Sequence, residues 1–430
     1  MKLTISCCGR PLSGTLSVPG DKSLAHRAML FAALAEGESE VRNYPDSGVT
    51  RAMRGALEAL GVSSSLEDGV LRVKGNGFRP FPNAGATAYC GNSATTIRLL
   101  AGAVAGTGSV ATLDGSEGLR RRPMNRIADP LREMGASIST AEGCAPMAFD
   151  PAPDGLRAVE YHVPVASAQV LSCLQIAALG AKGTSCFTVP GPVRDHTERM
   201  LASMGADITS EGRSSRVRPL AGALSPLHAT LPGDISSATF LFAAAAMVPD
   251  SRVTVTGIGV NPTRTGILDV LRSMGAEVSL ANGRDEMGEP VADVTVAAAP
   301  LKGVEIKGDL VVRSIDEFPA IAAVAAFADG VTVVREAKEL RYKESDRIAA
   351  IVTQLRALGA EVEEFDDGFA VRGGTLTGGT ARANGDHRLA MSMALCGLRA
   401  PVSVEGAEIL NESFPSFVPS LTALGACEAR

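Results

Sequence analysis

Tryptophan is absent from the sequence, and aromatic residues of every kind are few. They make up 4% of the 430 residues, and the formal net charge is −6. A protein that binds nucleic acid usually carries a basic surface, and single-strand binders add aromatic side chains on which bases stack. The composition therefore argues against nucleic acid as a partner. Alanine and glycine are plentiful, which favours close packing of helices on strands.

Cysteine and histidine are also scarce, with 8 and 5 residues. No two cysteines have the spacing of a zinc or redox motif, and no cysteine and histidine are spaced to hold a metal. A secreted disulfide scaffold would be denser in cysteine, so we expect thiols in a reducing compartment. The sequence thus predicts neither a metal site nor a disulfide framework.

Long hydrophobic runs are missing too. The N-terminus has no apolar core of a signal peptide, and the run at residues 240–248 is far shorter than the roughly 20 residues that span a bilayer. We therefore expect a soluble cytoplasmic protein with no membrane partner. A chain of 430 residues is too long for one ordinary core, so we expect two domains.

A short phrase, Leu-x-x-Leu/Met-Gly, recurs six times along the chain. A glycine directly after an apolar helix end is typical of a residue with positive φ that stops the helix. Four copies continue with alanine and an alternating segment, which predicts a strand, as at residues 276–280 and 360–363. The six glycines are Gly61, Gly135, Gly205, Gly275, Gly359 and Gly425.

A second series of helices is predicted between these phrases. Each begins with polar or charged residues and continues as an alanine- and leucine-rich run. The repeating unit is then strand, helix, strand, helix, strand, used six times, and six units divide into two domains of three. This alternation predicts an α/β fold. The predicted helices of the second series are 22–34, 92–104, 167–179, 236–247, 317–327 and 387–398.

Cations collect where the predicted helices begin. Lys22, Arg27 and Arg388 stand at starts in the second series, while Arg122 and Arg194 precede helices of the first. A helix N-terminus already carries partial positive charge, so an acid is the residue expected there. Repeated cations at equivalent places of a repeat predict an electropositive site for a ligand with several negative charges.

Two segments combine cations with acids. Lys343 and Arg347 are four residues apart, which predicts that both lie on one face of a helix, with Glu344 as an acid or ion-pair partner. Asp316 precedes a predicted helix, where it is either a cap or a functional carboxylate. Carboxylates weaken an anion site unless chemistry needs them, which favours an enzyme over a non-catalytic repeat protein that binds polyanions.

Eight segments carry these residues: 19–27, 91–98, 121–124, 167–169, 194–198, 316–319, 343–347 and 385–388. In order and spacing they resemble the motif series of the 5-enolpyruvylshikimate-3-phosphate synthase family of enolpyruvyl transferases, over nearly the whole chain. The resemblance implies an α/β fold, a two-domain inside-out α/β barrel of six βαβαββ-type repeats. It also implies one domain at residues 18–228 and another at residues 1–17 with 229–430.

The resemblance implies a reaction as well. The enolpyruvyl group of phosphoenolpyruvate passes to the 5-hydroxyl of shikimate 3-phosphate, phosphate is released, and no cofactor or metal takes part. Asp316 is implied as the base, and Glu344 with Lys22 as the proton source for the methylene carbon. Shikimate 3-phosphate is implied to bind Lys22, Ser23, Arg27, Ser167, Ala168, Gln169, Arg194, Asp316 and Lys343. Phosphoenolpyruvate is implied to bind Lys22, Asn92, Ala94, Arg122, Gln169, Arg347 and Arg388.

The chain departs from the commonest family patterns at three positions. Ala94 stands where many members have glycine. Its methyl group would crowd the phosphoenolpyruvate pocket, which predicts reduced sensitivity to glyphosate, an inhibitor longer than the substrate. Leu171 replaces a lysine of a subset of relatives. Glu412 replaces a lysine that touches phosphoenolpyruvate in some relatives, so that contact is in doubt here.

The nearest alternative is the enolpyruvyl transferase of the same fold that acts on UDP-N-acetylglucosamine. That enzyme typically has a reactive cysteine in a mobile loop, whereas the corresponding residues 114–123 include none. An RNA-processing relative with similar repeats is disfavoured by the acidic balance and the few aromatic residues. The resemblance further implies a monomer whose partners are its two small-molecule substrates.

Overall fold

The computed structural model describes residues 1–6 and 9–429, which form both helices and strands. The α-helices are α1 (Lys22–Leu34), α2 (Gly48–Ala59), α3 (Ala94–Thr107), α4 (Glu117–Arg120), α5 (Asn125–Glu133), α6 (Ala168–Ala178), α7 (His196–Ser203), α8 (Ile235–Met247), α9 (Gly266–Met274), α10 (Asp309–Arg313), α11 (Phe318–Ala325), α12 (Arg347–Ala357), α13 (His387–Cys396) and α14 (Phe417–Ala423). Two 3₁₀ helices, Lys338–Tyr342 and Ala407–Glu412, precede α12 and α14.

The strands are short and spread evenly along the chain. They are β1 (Lys2–Ser6), β2 (Ser13–Leu16), β3 (Glu36–Arg42), β4 (Ser63–Glu67), β5 (Val70–Asn76), β6 (Ala86–Tyr89), β7 (Ala111–Asp114), β8 (Ser137–Ala141), β9 (Cys144–Asp150), β10 (Glu160–His162), β11 (Ser185–Thr188), β12 (Ile208–Glu211), β13 (Ser214–Val217), β14 (His228–Thr230), β15 (Arg252–Gly259), β16 (Glu277–Glu286), β17 (Glu289–Ala297), β18 (Glu305–Ile306), β19 (Val331–Val334), β20 (Glu361–Phe365), β21 (Gly368–Arg372), β22 (Gly379–Arg382), β23 (Val402–Glu405) and β24 (Cys427–Ala429).

Six four-stranded sheets repeat one topology. In the sheet β6-β7-β9-β8, β6 and β7 are parallel, and β9 runs antiparallel to both of its neighbours. With α3 after β6 and α5 after β7, this unit reads β-α-β-α-β-β. The other sheets are β14-β3-β5-β4, β10-β11-β13-β12, β16-β17-β15-β2, β18-β19-β21-β20 and β22-β23-β1-β24. The predicted α/β architecture of six βαβαββ-type repeats is confirmed.

Two sheets exchange their first strands. β2 precedes α1 in the chain but pairs with β15, whereas β14 precedes α8 but pairs with β3. The two ends of the chain also share a sheet, since β1 lies between β23 and β24. Such exchanges depend on pairings far apart in sequence, so the local pattern did not predict them.

The helices of the second series are buried on nearly every side. All 13 residues of α8 are buried, and alanine supplies much of the surface of this helix. Small side chains allow a helix to pack closely in such a position. The helices of the first series are instead amphipathic, as in α2. All six predicted stop glycines have φ between 91° and 109°, which confirms their role at helix ends.

The chain separates into two compact units, each with its own apolar core. The N-terminal unit comprises Gly20–Leu231 and Asp285–Glu289. The C-terminal unit comprises Met1–Pro19, Pro232–Arg284 and Pro290–Arg430. The sequence did not predict that the tip of the β16–β17 hairpin packs with the N-terminal unit.

That hairpin tip is held by buried polar contacts. His196 Nδ1 lies 2.7 Å from Glu289 Oε1, and both side chains are buried. Arg199 Nη1 donates to the carbonyl of Gly288 at 3.0 Å. The contact of His196 with Glu289 and the hydrogen bond from Arg199 together fix residues 285–289 against α7.

Most described cysteines are thiols, as expected. The free ones are Cys90, Cys144, Cys173, Cys186 and Cys396. Cys427 is disulfide-bonded, so the expectation is wrong there. Cys427 lies opposite Ser6 in the pairing of β1 with β24. Cys7 and Cys8 lie outside the described residues.

Hydrophobic helices of membrane-spanning length are absent from the part of the chain that the structure describes.

Candidate active site

Side-chain caps close the starts of five helices of the second series. Asp21 Oδ1 accepts hydrogen bonds from the N–H groups of Ser23 at 2.7 Å and Leu24 at 2.9 Å. Asp234 and Asp386 cap α8 and α13 in the same way, and serines cap α3 and α6. These caps occupy N–H groups that a bound anion would otherwise use. Side chains rather than free backbone N–H groups are therefore the main groups that these helix starts offer to an anion.

Arg27 is a buried cation of the N-terminal unit, 3% exposed. Its Nε donates to Thr197 Oγ1 at 2.8 Å, its Nη2 to Ser172 Oγ at 2.8 Å and its Nη1 to the carbonyl of Ser23 at 3.0 Å. Thr197 Oγ1 also donates to Ser172 Oγ at 2.7 Å. Neutral groups thus fix the guanidinium plane without cancelling its charge.

Burial and charged groups at longer range change the pKa of Arg27. Burial lowers the pKa of Arg27 to about 10, while the carboxylates of Glu198 and Asp21 act in the opposite direction. The positive charge of Arg194 lowers the pKa of Arg27 further. The two arginines therefore add positive charge to the same region of the N-terminal unit. Burial also raises the pKa of Glu198, whose Oε1 accepts from Gln175 Nε2 at 2.7 Å. Arg27 remains charged at neutral pH.

Gln169 lies in the first turn of α6 and is held from α3. Its Oε1 accepts from Arg98 Nη1 at 2.5 Å, and its Nε2 donates to Thr95 Oγ1 at 2.9 Å. Ser167 caps the same helix through the N–H of Val170, and Ala168 is its first residue. Sequence reasoning gave Arg98 no role, because its contact spans 71 residues.

Lys22 opens α1, and a buried histidine fixes its backbone. His26 Nδ1 lies 2.7 Å from the carbonyl of Lys22, and His26 Nε2 lies 3.4 Å from Ser93 Oγ. Burial lowers the pKa of His26 to about 4, so the ring is neutral at pH 7. Since a carbonyl only accepts, Nδ1 carries the proton and Nε2 accepts from Ser93. His26, which the sequence did not single out, therefore joins the starts of α1 and α3.

Asn92 and Ala94 flank the cap of α3. Asn92 Oδ1 accepts from Ser116 Oγ at 3.0 Å. Ala94 is the first residue of α3 and is 9% exposed, so its methyl group occupies space at the helix start. Leu171, by contrast, belongs to the apolar core of the N-terminal unit.

Arg122 is the half-buried member of a run of three arginines, 120–122. Arg120 forms an ion pair with Asp114, and Arg121 forms one with Glu117. Local acids therefore neutralise two of the three cations. The run does not act as a single block of positive charge.

Asp316 lies beside two cations of the C-terminal unit. Its Oδ1 is 3.8 Å from Lys343 Nζ and 3.7 Å from Arg347 Nη1. Asp316 does not cap the following helix, because the N-cap position of α11 belongs to Glu317. Two of the predicted segments, 316–319 and 343–347, therefore meet at one carboxylate.

Arg347 is surrounded by acids. Its side chain is 1% exposed; Nε donates to Asp386 Oδ2 at 2.8 Å, and Nη2 donates to Glu344 Oε2 at 2.7 Å. Burial alone would lower the pKa of Arg347, but Glu344, Asp386 and Asp316 hold it above its ordinary value. Burial would likewise raise the pKa of Asp386, but Arg347 holds it below its usual range. Glu344 is 42% exposed and Asp316 18%, so solvent and ligands can reach both of these acids, whereas Asp386 is fully buried.

Arg388 lies in the first turn of α13 and reaches the turn before α11. Its Nη1 donates to the carbonyl of Asp316 at 3.1 Å and lies 3.8 Å from Glu317 Oε1. Its backbone N–H donates to Asp386 Oδ1 at 2.9 Å. Asp386 therefore contacts Arg347 through the side chain and Arg388 through the backbone, a link that the sequence did not predict.

The expectation that Lys343 and Arg347 share a helix face is wrong. Lys343 directly follows a 3₁₀ helix, and α12 begins only at Arg347. Asp346 caps α12 by accepting from the N–H of Ala349 at 3.1 Å, which sets the start of the helix. The two cations meet through Asp316 instead of through helical spacing.

Glu412 is exposed at the end of the 3₁₀ helix Ala407–Glu412. Within residues 1–6 and 9–429, no group of three or more His, Cys, Asp or Glu side chains is arranged to hold a metal ion. The functional groups of both units are thus cations, hydroxyls, amides and carboxylates. Such groups can bind phosphate and carboxylate and can move protons.

Comparison with protein families identifies one that matches almost the whole chain. Residues 8–421 match the family described as EPSP synthase (3-phosphoshikimate 1-carboxyvinyltransferase). The 3-phosphoshikimate 1-carboxyvinyltransferase of Roseiflexus castenholzii is 46% identical over 416 residues, covering 95% of this chain and 96% of that protein. The enzyme of the same name from Geobacter metallireducens is 44% identical, covering 96% and 97%.

Solved structures show the same similarity in three dimensions. The EPSP synthase of Acinetobacter baumannii superposes with a TM-score of 0.91 at 36% identity, over the full length of both chains. The enolpyruvyl transferase NikO of Streptomyces tendae superposes with a TM-score of 0.78 at 22% identity, covering 100% of this chain and 98% of that one. The second likeness concerns the fold alone.

Proposed function

The chain belongs to the EPSP synthase family, and from that premise we propose which of its residues carry out the family's reaction. The enzyme transfers the enolpyruvyl group of phosphoenolpyruvate to the 5-hydroxyl of shikimate 3-phosphate and releases phosphate, a step of the shikimate pathway to aromatic amino acids. The observation that carries the assignment of residues is the contact of Asp316 with Lys343 and Arg347 beside the accessible acid Glu344. Carboxylates beside cations suit proton transfer between anionic substrates.

Shikimate 3-phosphate is assigned chiefly to the N-terminal unit. Arg27 and Arg194 supply charge, and the hydroxyls of Ser23 and Ser167 with the amide of Gln169 supply directed hydrogen bonds. Support comes from the fixed plane of Arg27 and from the double anchoring of Gln169 on α3. The full set is Lys22, Ser23, Arg27, Ser167, Ala168, Gln169, Arg194, Asp316 and Lys343.

Phosphoenolpyruvate is assigned to cations that can fork around a carboxylate or a phosphate. A guanidinium presents paired N–H donors that match either group. Support comes from Arg347 and Arg388, whose positions are fixed through the shared partner Asp386. The full set is Lys22, Asn92, Ala94, Arg122, Gln169, Arg347 and Arg388.

The chemistry requires one base and one acid. The 5-hydroxyl oxygen bonds to C2 of phosphoenolpyruvate as C3 takes up a proton, and Asp316 accepts the hydroxyl proton. Glu344, with Lys22, supplies the proton to C3, and the positive charge that develops at C2 is stabilised by the nearby carboxylates. Loss of a C3 proton with departure of phosphate from C2 then restores the double bond. Positioned acids and bases of this kind contribute about 10²–10⁴-fold in rate.

The setting of the enzyme follows from its substrates. Both are phosphorylated anions that do not diffuse through membranes, so we place the protein in the cytoplasm. We further propose a monomer, in keeping with the few large apolar side chains that are exposed within the described residues, among them Val165, Leu280 and Tyr342. Light scattering after gel filtration tests this, and a mass of twice 44.2 kDa would contradict it.

The test of the assignment is phosphate release with two alternative acceptors. The protein is mixed with phosphoenolpyruvate and either shikimate 3-phosphate or UDP-N-acetylglucosamine. We expect release only with shikimate 3-phosphate, and we expect it to be lost in Asp316→Ala while shikimate 3-phosphate still binds. Release by folded Asp316→Ala at the rate of the unchanged protein would overturn the role of Asp316.

A further inference from the structure

Glu317 occupies the N-cap position of α11 but does not cap the helix. Its side chain is 0% exposed and makes no hydrogen bond to the first turn. An acid at this position usually accepts from the free N–H groups of the helix. Burying a carboxylate is costly unless other groups compensate for the charge. Its neighbours must therefore account for its presence.

A buried polar chain supports one oxygen of Glu317. Ser236 Oγ donates to Glu317 Oε1 at 2.5 Å and itself accepts from Arg264 Nη2 at 3.0 Å. Arg264 is 3% exposed and also contacts Asp234 Oδ1 at 3.3 Å. The hydroxyl of Ser236 thus links the Glu317 carboxylate to the buried guanidinium of Arg264.

Arg388 approaches the same oxygen of Glu317 that Ser236 contacts. Arg388 Nη1 is 3.8 Å from Glu317 Oε1, while Glu317 Oε2 has no hydrogen-bond partner among residues 1–6 and 9–429. The same Nη1 donates to the carbonyl of Asp316, the residue directly before Glu317. The backbone oxygen of Asp316 and the buried carboxylate of Glu317 therefore hold Arg388 against the turn before α11.

We propose that Glu317 is a positioning residue that fixes the guanidinium of Arg388 for phosphoenolpyruvate. This rests on the proposed assignment of Arg388 to that substrate. The carboxylate attracts the inner edge of the guanidinium, and Ser236 with Arg264 keeps the carboxylate in place. The outer N–H groups of Arg388 are then directed at the anion, and little conformational freedom is lost on binding. Glu317 does not itself touch the substrate.

The test is a set of steady-state measurements on full-length variants. Glu317→Gln keeps the size of the side chain and its contact with Ser236 but removes the charge beside Arg388. We expect the KM for phosphoenolpyruvate to rise about 10-fold or more, the typical effect of removing a charged partner, with the KM for shikimate 3-phosphate unchanged. Ser236→Ala should raise the same KM by less, and it provides a second variant if Glu317→Gln does not fold.

A matched control is Glu289→Gln, the same change at an equally buried carboxylate that pairs with His196. It should leave the KM for phosphoenolpyruvate unchanged. Arg388→Lys and the double variant Glu317→Gln/Arg388→Lys complete a cycle. If Glu317 acts through Arg388, the double variant raises the KM by less than the product of the two single effects.

The outcomes separate this proposal from the one on which it rests. If Arg388→Lys raises the KM for phosphoenolpyruvate but Glu317→Gln and Ser236→Ala only lower thermal stability, Glu317 is structural and the positioning role is overturned. Multiplicative effects in the double variant overturn it too. If Arg388→Lys itself leaves that KM unchanged in an enzyme that still turns over, the assignment of Arg388 has failed, and the positioning role fails with it.

Discussion

Arg27 in the second turn of α1 and Arg347 at the start of α12 are both buried arginines, yet their surroundings differ in kind. The direct partners of Arg27 are two hydroxyls and a carbonyl, so its charge is oriented but not cancelled. Arg347 contacts Asp386 and Glu344 and lies 3.7 Å from Asp316, so acids outnumber it. Neutral partners leave the charge of Arg27 available to an anion. The carboxylates around Arg347 instead place proton-transfer groups beside a cation that we assign to phosphoenolpyruvate.

The largest contrast is expected in stability. Arg347→Ala leaves the fully buried Asp386 without its ion-pair partner, which costs about 3–5 kcal/mol. We expect the C-terminal unit to unfold at markedly lower urea concentration, as followed by hydrogen exchange of α12 and α13. Arg347→Lys is the control that retains the charge. Equal stability of Arg347→Ala and the unchanged protein would show that Asp386 does not depend on Arg347.

Arg27→Ala should cost less, about 1–3 kcal/mol, because its partners Thr197 and Ser172 are neutral and still hydrogen-bond each other. Its main effect should be on affinity for shikimate 3-phosphate, measured by calorimetry. A larger loss of stability than in Arg347→Ala would reverse the comparison between the two units.

The pH dependence of stability sharpens the description of the N-terminal unit. The pKa of His26 falls from 6.5 to about 4 on folding, so the folded state binds fewer protons than the unfolded state between these values. The free energy of unfolding is therefore unaffected by the protonation of His26 above pH 6.5. It decreases as the pH falls toward 4, by about 2 kcal/mol at pH 5, because the unfolded state takes up the proton. His26→Asn should remove this dependence in urea unfolding at pH 7 and pH 5. The same dependence in the variant would contradict the buried, neutral ring.

Ala94→Gly should change inhibition more than stability. Removal of the methyl group at the start of α3 frees space, and one carbon in a pocket typically changes discrimination by about 10-fold or more. We expect stronger inhibition by glyphosate in the variant, with a smaller change in the KM for phosphoenolpyruvate. Inhibition curves for the two proteins decide the matter, and identical curves would remove Ala94 as the cause of reduced sensitivity.

Local sequence signals predicted most of the fold. The six stop glycines and the helices between them follow from patterns of a few residues, and the structure has them within a few residues of the expected bounds. The exchange of β2 and β14 does not follow from local patterns, because β14 pairs with a strand 188 positions away (228 − 40) and β2 with one 239 positions away (252 − 13). The start of α12 was misplaced although Asp346, its cap, was visible in the sequence.

The candidate site was predicted less completely than the fold. Motif residues were found because they lie in recognisable segments, but their supports were not. Asp386, Arg98 and His26 act through contacts 39 to 71 residues away in the chain, which no local pattern contains. The roles of the motif residues themselves stay predictions until they are measured.

The most direct test of the contrast between the surroundings of Arg27 and those of Arg347 is the turnover number of Asp316→Ala with both substrates at saturation. Loss of a carboxylate that accepts a proton should lower kcat by about 10²–10⁴-fold, while binding of shikimate 3-phosphate, assigned mainly to Arg27 and its neighbours, persists. A kcat equal to that of the unchanged protein would contradict the account, because Asp316 would then have no part in proton transfer.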